Sequence, residues 1–248
     1  MVGSLVWGDV PEGFDKIRSG SRMDLLRADM ATQIDLMASF DTAGEHTGAF
    51  GRGALVVLRL DGGDALVRRY RHGGALRRLT GDFFLTWPPR PFRELALTEA
   101  ARARGVPTVE VLAALIEPVA GLIYRGWLVT RRLEGARDLW EAAQSDAPAA
   151  KLAHLEAAAR AVRAMHRCGI IHRDLNLKNI LVRSEGGAAR GYIIDFDKSR
   201  ACPGDIPLPR AQNNLDRLKR SLNKLDPKRR HISAADWELF LRAYREGG

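Results

Sequence analysis

A chain of 248 residues, 46% hydrophobic and 28% charged, is long enough to bury a core and too ordinary in composition for a disordered or fibrous protein. Its formal charge of +9 favours contact with something anionic: nucleic acid, a phospholipid surface or a phosphorylated substrate. The two cysteines, Cys168 and Cys202, fit neither a disulfide framework nor a metal-ligand spacing and suit a reducing cytoplasm.

The opening "MVGSLVWGDVPEGF" has no basic leader followed by an apolar run, so no signal peptide is expected. Residues 1–20 read as irregular. Over residues 22–40 the spacing of Leu25, Leu26, Met30, Ile34, Met37 and Phe40 predicts a helix. "DTAGEHTGAFGRG" follows as a Gly-rich loop. "ALVVLRL" and "ALVRRY", joined by "DGGD", predict a β-hairpin, because Asp-Gly and Gly-Gly supply the positive φ that tight turns need. "PFRELALTEAARARG" predicts a helix closed by Gly105.

"VEVLAALIEPVAGLIYRGWLVTRRL" is β-rich, with its clearest strand at Trp127–Leu133. Its apolar part is broken by Glu117 and Pro118 and is too short to span a bilayer, so an integral membrane protein is not expected. A helix starts in "GARDLWEAA". The strongest helix is "APAAKLAHLEAAARAVRAMHRCG", with Leu152, Leu155, Ala159, Val162 and Met165 or His166 on one stripe and Gly169 at its end. "NNLDRLKRSLNKL" puts Leu215, Leu218, Leu222 and Leu225 on one face. "SAADWELFLRAY" opens with a capping box, Ser233 with Asp236, and buries Trp237, Phe240, Leu241 and Tyr244. The order is a β-rich half over residues 1–134 and a helical half over 135–248, an α+β fold.

Between these helices stands "IIHRDLNLKNILV", and then "YIIDFDKSR". Phosphoryl transfer leaves a protein little covalent work: it places nucleotide, metal and acceptor in line and offsets the developing charge. "HRDLNLKN" supplies a carboxylate to take the acceptor's proton, Asp174, and an amide oxygen for Mg²⁺ five positions on, Asn179. His172 and Arg173 would brace this loop. Asp195, at the end of an apolar strand, would hold the metal that bridges the phosphates, and "NILV" with "GYIIDF" would form a hairpin flanking the site. Any one of these residues alone reads as a turn or cap; the ordered set reads as a kinase-like catalytic centre.

The first half fits that pattern less closely. In "GAFGRG", Gly51 and Gly53 give a G-x-G that could cover the nucleotide phosphates. The strand lysine expected next is absent; Arg68 stands in its place, with Arg69 beside it, and arginine can fork onto two phosphate oxygens. Glu94 is the first candidate to pair with it and Glu99 the second.

"LVRRYRHGG", "LVTRRLEGARDLWE", "IIHRDLNLKNILV", "YIIDFDKSR" and "NNLDRLKRSLNKL" together resemble the bacterial lipopolysaccharide core kinases over roughly residues 48–225. The narrower signals are the Arg-rich strand ending in Gly-Gly and the Asn-Leu-x-Arg-Leu-x-x-Ser helix. The resemblance implies a compact, bilobal protein-kinase-like fold. It also implies ATP and Mg²⁺ as cofactors, Asp174 as acid/base, Asn179 and Asp195 as metal ligands and Arg68 as a phosphate contact. The implied acceptor is an anionic glycolipid, the 3-deoxy-D-manno-octulosonic acid (Kdo) sugar of Kdo-lipid A, at the cytoplasmic face of the inner membrane.

Two features disfavour a peptide acceptor. "ACPGDIPLPRAQNN" carries no A-P-E-type anchor, and position 176 is Asn where Ser/Thr kinases carry Lys. Basic runs at 65–79, with five arginines and no acid, and at 217–231, with seven Lys or Arg against Asp226, suit an anionic acceptor or membrane surface. The alternatives are a heptose kinase, an atypical protein kinase, an aminoglycoside-type kinase or a pseudokinase binding module. Nucleic acid is not an expected partner, since aromatic interleaving is sparse.

Overall fold

The structure, a computed structural model, describes residues 8–33, 45–47, 55–71 and 81–247. The chain divides into two compact units, Met1–Ala100 with Glu110–Arg132, and Ala101–Val109 with Leu133–Gly248. The sequence reading set the division at Glu134–Gly135; Leu133 and Glu134, with the segment Ala101–Val109, go with the second unit.

Among the described residues of the first unit, seven strands form one antiparallel sheet in the order β1-β2-β6-β7-β5-β4-β3. They are β1 Phe14–Ser19, β2 Arg22–Arg27, β3 Glu45–Thr47, β4 Leu55–Leu58, β5 Ala65–Arg69, β6 Val111–Ala120 and β7 Ile123–Arg131. Two expectations fail here. Residues 14–19 are strand, not irregular chain, and Arg22–Arg27 is strand followed by a 3-10 turn at Ala28–Gln33, not helix. The rest of the expected helix, residues 34–40, lies outside the described residues.

The reason is that β2 is paired on both edges, by β1 and β6, and covered on both faces. Leu25 and Leu26 point to opposite sides, into separate apolar clusters. A strand buried on both faces breaks the polar alternation that would have marked it, so its spacing imitates a helix. Gly20, at φ 61°, closes the β1–β2 hairpin in the left-handed region.

The same two-sided burial makes Val111–Ile116 a continuous apolar run. A bulge between Val111 and Ala113 shifts the parity, so Val111 and Ala114 share one cluster while Leu112 and Ala113 join the other. Helix α1, Arg90–Ala103, buries Phe92 and Leu95 in the cluster that holds Leu25 and Leu128. The predicted β4–β5 hairpin is present, with Gly63 at φ 100° in its turn.

In the second unit β8 Arg137–Asp138 leads into α2, Leu139–Ser145, capped by the Asp138 carboxylate, which accepts from Glu141 N–H at 2.8 Å. Helix α3, Pro148–Arg167, buries Leu155, Ala159, Val162, Met165 and His166. Leu152 of the predicted stripe stays 38% exposed, and His154 is buried instead, its Nδ1 bonded to Asp146 at 2.6 Å.

Against α3 packs the hairpin of β10, Ile180–Glu185, and β11, Ala188–Ile193. Gly191 permits the approach: a Cβ there would meet the Ala157 carbonyl oxygen at 2.5 Å. Short strands β9, Ile170–Ile171, and β12, Arg200–Ala201, pair antiparallel. Helix α4, Leu208–Leu225, buries Leu215, Leu218 and Leu222. Helix α5, Ala234–Glu246, begins at the predicted Ser233–Asp236 capping box and buries Trp237, Phe240 and Tyr244.

Candidate active site

Within the second unit the "HRDLNLKN" motif forms a loop between β9 and β10. Asn176 shapes it: its side-chain oxygen accepts from Lys178 N–H at 2.9 Å, starting a 3-10 turn at Leu177–Asn179, and its amide donates to the Asp174 carbonyl at 2.8 Å. The same carbonyl receives the Asn179 amide, also at 2.8 Å. Asn179 is therefore tied to the backbone of Asp174 across the five-residue spacing read in the sequence. With its nitrogen committed, Oδ1 takes no hydrogen bond among the described residues.

Asp195 is delivered by β11. The Ile194 N–H bonds to the Asn179 carbonyl at 3.0 Å, which sets the strand end beside the loop. Asp195 itself has φ 67°, in the left-handed region, where non-glycine residues are uncommon. Phe196, fully buried, rests on the His172 ring with centroids 5.5 Å apart.

His172 and Asn214 hold this loop from below. The His172 Nε2–H donates to the Ile194 carbonyl at 3.0 Å, and Nδ1 accepts from Asp174 N–H at 3.2 Å, so the ring is neutral. Burial pushes its pKa below the usual histidine value, against the pull of the Ile194 carbonyl and of Asp195 and Asp174. The buried Asn214 amide of α4 forms two bonds to the His172 backbone, accepting from its N–H and donating to its carbonyl, each at 3.0 Å.

Asn214 Oδ1 also receives Nε2–H of His166 at 3.1 Å, leaving Nδ1 to accept from the Tyr244 hydroxyl at 2.7 Å. Desolvation lowers the His166 pKa to about 4, so this ring too is neutral. Burial raises the Tyr244 pKa, keeping the hydroxyl protonated as donor. Ser221, on the same helix as Asn214, accepts from Leu177 N–H at 3.4 Å.

In the first unit Arg68, at the end of β5, donates through Nη2 to both carboxylate oxygens of Glu94, at 2.5 and 2.6 Å. Glu94 lies on α1 and is 2% exposed. The Tyr70 hydroxyl donates to the same carboxylate, and the Arg68 guanidinium stacks 4.9 Å above the Tyr70 ring. Arg69 instead pairs with Asp82 and lies over Trp127, and Glu99 takes Arg27 at 2.9 Å and the Val111 N–H at 3.1 Å. Of the pairings left open by the sequence, Arg68 with Glu94 is the one formed. Gly51 and Gly53, the expected phosphate-covering glycines, lie outside the described residues.

The donor set fits a hard cation. Among the described residues no group of three or more His, Cys, Asp or Glu side chains is placed to hold a metal. One carboxylate and one amide oxygen, from Asp195 and Asn179, suit Mg²⁺, which keeps waters and phosphate oxygens in its remaining positions.

Residues 39–244 match the family described as lipopolysaccharide kinase (Kdo/WaaP). The chain belongs to that family.

Relatives similar to this chain include a 3-deoxy-D-manno-octulosonic acid kinase of Vibrio vulnificus strain CMCP6, 36% identical over 200 residues, 79% of this chain and 81% of the relative. A protein of the same name from Xanthomonas campestris pv. campestris strain B100 is 36% identical over 202 residues, 78% of this chain and 76% of its own. One from Vibrio cholerae O1 is 34% identical over 179 residues, 71% of this chain and 72% of its own. A solved structure, WaaP in complex with acyl carrier protein, superposes with a TM-score of 0.54 at 20% identity, over 86% of this chain and 82% of that one. The fold is accordingly the protein-kinase-like α+β fold the sequence implied. In this family member no helix among the described residues is long and apolar enough to cross a membrane.

Asn214, His166, Tyr244, Ser221 and Tyr70 were not singled out as site residues by the motif reading. The signal for two of them was present: Asn214 and Ser221 open and close the Asn-Leu-x-Arg-Leu-x-x-Ser helix segment.

Proposed function

We propose that this chain is a kinase that transfers the γ-phosphate of ATP to a hydroxyl of Kdo in the inner core of lipopolysaccharide, with Kdo-lipid A as acceptor. The observation that carries the reading is the Asp174–Asn179 tie, in which the side-chain amide of the metal-type ligand is bonded to the backbone carbonyl of the base. Family membership and the curated relatives named for Kdo support the acceptor.

In this reaction the acceptor oxygen forms a bond to the γ-phosphorus as the bond to the β–γ bridging oxygen breaks. ADP leaves, and the acceptor proton passes to the Asp174 carboxylate. Mg²⁺, when held by Asn179 and Asp195, supplies charge neutralisation at the phosphate oxygens. Arg68, pinned by Glu94 and Tyr70, is assigned to phosphate contact; a guanidinium stays charged where a buried lysine could lose its proton. In domain terms, residues 1–134 would serve the nucleotide phosphates and residues 135–248 the chemistry and the acceptor. The excess of basic residues suits peripheral association with an anionic membrane surface from the cytoplasmic side.

The test is an acceptor screen, read by product mass. Kdo-lipid A, a heptosylated core, a generic protein substrate and an aminoglycoside are each offered with ATP and Mg²⁺. A gain of one phosphate on the Kdo residue is expected, and transfer only to another acceptor overturns the assignment.

A further inference from the structure

A set of charges on α4 is left unused by the catalytic group. Arg210, Arg217, Arg220 and Lys224 are all exposed, and their spacing, i, i+7, i+10 and i+14, puts them on one stripe of the helix. Among the described residues no carboxylate forms an ion pair with it. Asp216, on the flank, receives the Gln212 amide at 2.8 Å, and Asp226 beyond the helix end is taken up by the backbone N–H groups of Arg230, His231 and Ile232. Among the described residues none of the four cationic side chains makes an ion pair or hydrogen bond. Like charges three and four positions apart oppose each other on a helix, so the stripe works against the helix unless an anion joins it.

The place of the stripe is set by the hydrogen bonds of two residues. Asn214 and Ser221 stand on either side of Arg217 along one ridge, at i−3 and i+4, and both reach the catalytic loop. Asn214 holds the His172 backbone at 3.0 Å, and Ser221 holds Leu177 N–H at 3.4 Å. The ridge that grips the loop carrying Asp174 thus has at its middle a guanidinium with no ion pair among the described residues. From Arg217 the stripe runs on to Lys224 over about 10 Å of helix.

We propose that Arg217, with Arg220 and Lys224 beside it, is an anion subsite for the acceptor, binding a carboxylate or phosphate of the glycolipid while its hydroxyl meets Asp174. This rests on the acceptor reading above and adds the residues that would select for it. A guanidinium forks onto a carboxylate or phosphate through two parallel hydrogen bonds, which fixes orientation as well as adding attraction. A neutral sugar or a cationic aminoglycoside would gain nothing from such a stripe, whereas a glycolipid with anions spread along its head group matches both its sign and its length. Specificity then comes from the spacing of charges around the reacting hydroxyl, and not from the catalytic loop.

The experiment uses the full chain with detergent-dispersed Kdo-lipid A, its dephosphorylated form and its carboxylate methyl ester, measuring equilibrium Kd and acceptor KM. Arg217→Gln should raise both about tenfold for Kdo-lipid A, and Arg217→Lys should recover part of the loss. The gap between wild type and Arg217→Gln should close for whichever neutralised acceptor lacks the bound anion. A gap equally wide on both neutralised acceptors overturns the proposal, as does unchanged Kd and KM in Arg217→Gln and Arg220→Gln. If Arg217→Gln does not fold, Arg220→Gln carries the same comparison with a smaller expected change. Sedimentation with phosphatidylglycerol vesicles lacking acceptor supplies the competing outcome: variants that lose vesicle binding alone, and bind dispersed acceptor like wild type, mark a membrane surface and overturn the subsite. Wild type that binds Kdo-lipid A without phosphorylating it defeats the kinase reading but leaves the subsite standing. Wild type that does not bind it defeats both.

Discussion

The side-chain amide of Asn214 closes a ring of two hydrogen bonds with the backbone of His172, each 3.0 Å long. One residue of α4 thereby fixes the peptide that leads into Asp174, and it does so with a group that carries no charge. An amide is suited to the position because it must accept from an N–H and donate to a carbonyl at once; an aspartate could only accept.

Replacing Asn214 by Ala would leave the His172 N–H and carbonyl and the His166 Nε2–H buried without partners. We expect a loss of about 2–4 kcal/mol in stability, measured as a lower urea midpoint at constant slope. Asn214→Asp, which sets a carboxylate oxygen against the buried His172 carbonyl where the amide donated, should lose at least as much. Both should lower kcat about tenfold or more, because the loop no longer holds Asp174 in register.

His166 predicts a pH dependence. Its folded pKa is lowered to about 4 from an ordinary value of 6.5. Below 6.5 the unfolded chain takes up a proton that the folded chain refuses, so stability falls as pH drops from 6.5 towards 4 and is fully present above 6.5. The depression corresponds to roughly 3 kcal/mol. His166→Gln should flatten the slope of unfolding free energy against pH in this window, with a residual slope of the same sign from buried His172. An unchanged slope would contradict the neutral-ring network.

The order of Asp174, Asn179 and Asp195 stood out in the sequence because phosphoryl transfer would require each at a fixed distance along the chain, and the Asp174–Asn179 backbone tie is present. The supports were less legible. Asn214 lies 42 positions from His172, and nothing local in "NNLDRLKRS" says which amide turns inward. His166 looked like one member of an apolar stripe; its role depends on Tyr244, 78 positions away, supplying a donor. The N-terminal strands failed for the opposite reason. Burial on both faces of β2 removed the alternation that marks a strand, whereas the β4–β5 hairpin kept its turn glycine and was read correctly.

The Arg68–Glu94 pair should be sensitive to loss of the carboxylate. Glu94→Gln removes the negative charge facing the guanidinium and replaces one of the two acceptor oxygens by an amide donor, and a destabilisation of about 2 kcal/mol or more is expected, discounted for the partial exposure of Arg68. In turnover, Arg68→Gln should raise the KM for ATP more than that for the acceptor. Arg68→Lys should retain part of the activity but lose the two-oxygen grip on Glu94.

Gly191→Ala tests how closely the β10–β11 hairpin is drawn onto α3. The new methyl would meet the Ala157 carbonyl oxygen and carbon at 2.5 and 2.8 Å, both backbone atoms that cannot rotate away. A loss of about 1–3 kcal/mol, seen as a lower thermal midpoint, is expected. Because β11 delivers Asp195, Mg²⁺-dependent ATP turnover should fall with it.

The most direct test of the account is phosphate transfer from ATP to Kdo-lipid A by wild type and by Asp174→Ala, with and without Mg²⁺. Asp174→Ala should be checked to unfold within a few tenths of a kcal/mol of wild type, as expected for a loop carboxylate. The account predicts one phosphate added to Kdo by wild type with Mg²⁺, and a loss of at least about a hundredfold in Asp174→Ala or on removal of the metal. Equal product from the wild-type chain and the folded Asp174→Ala variant would contradict it.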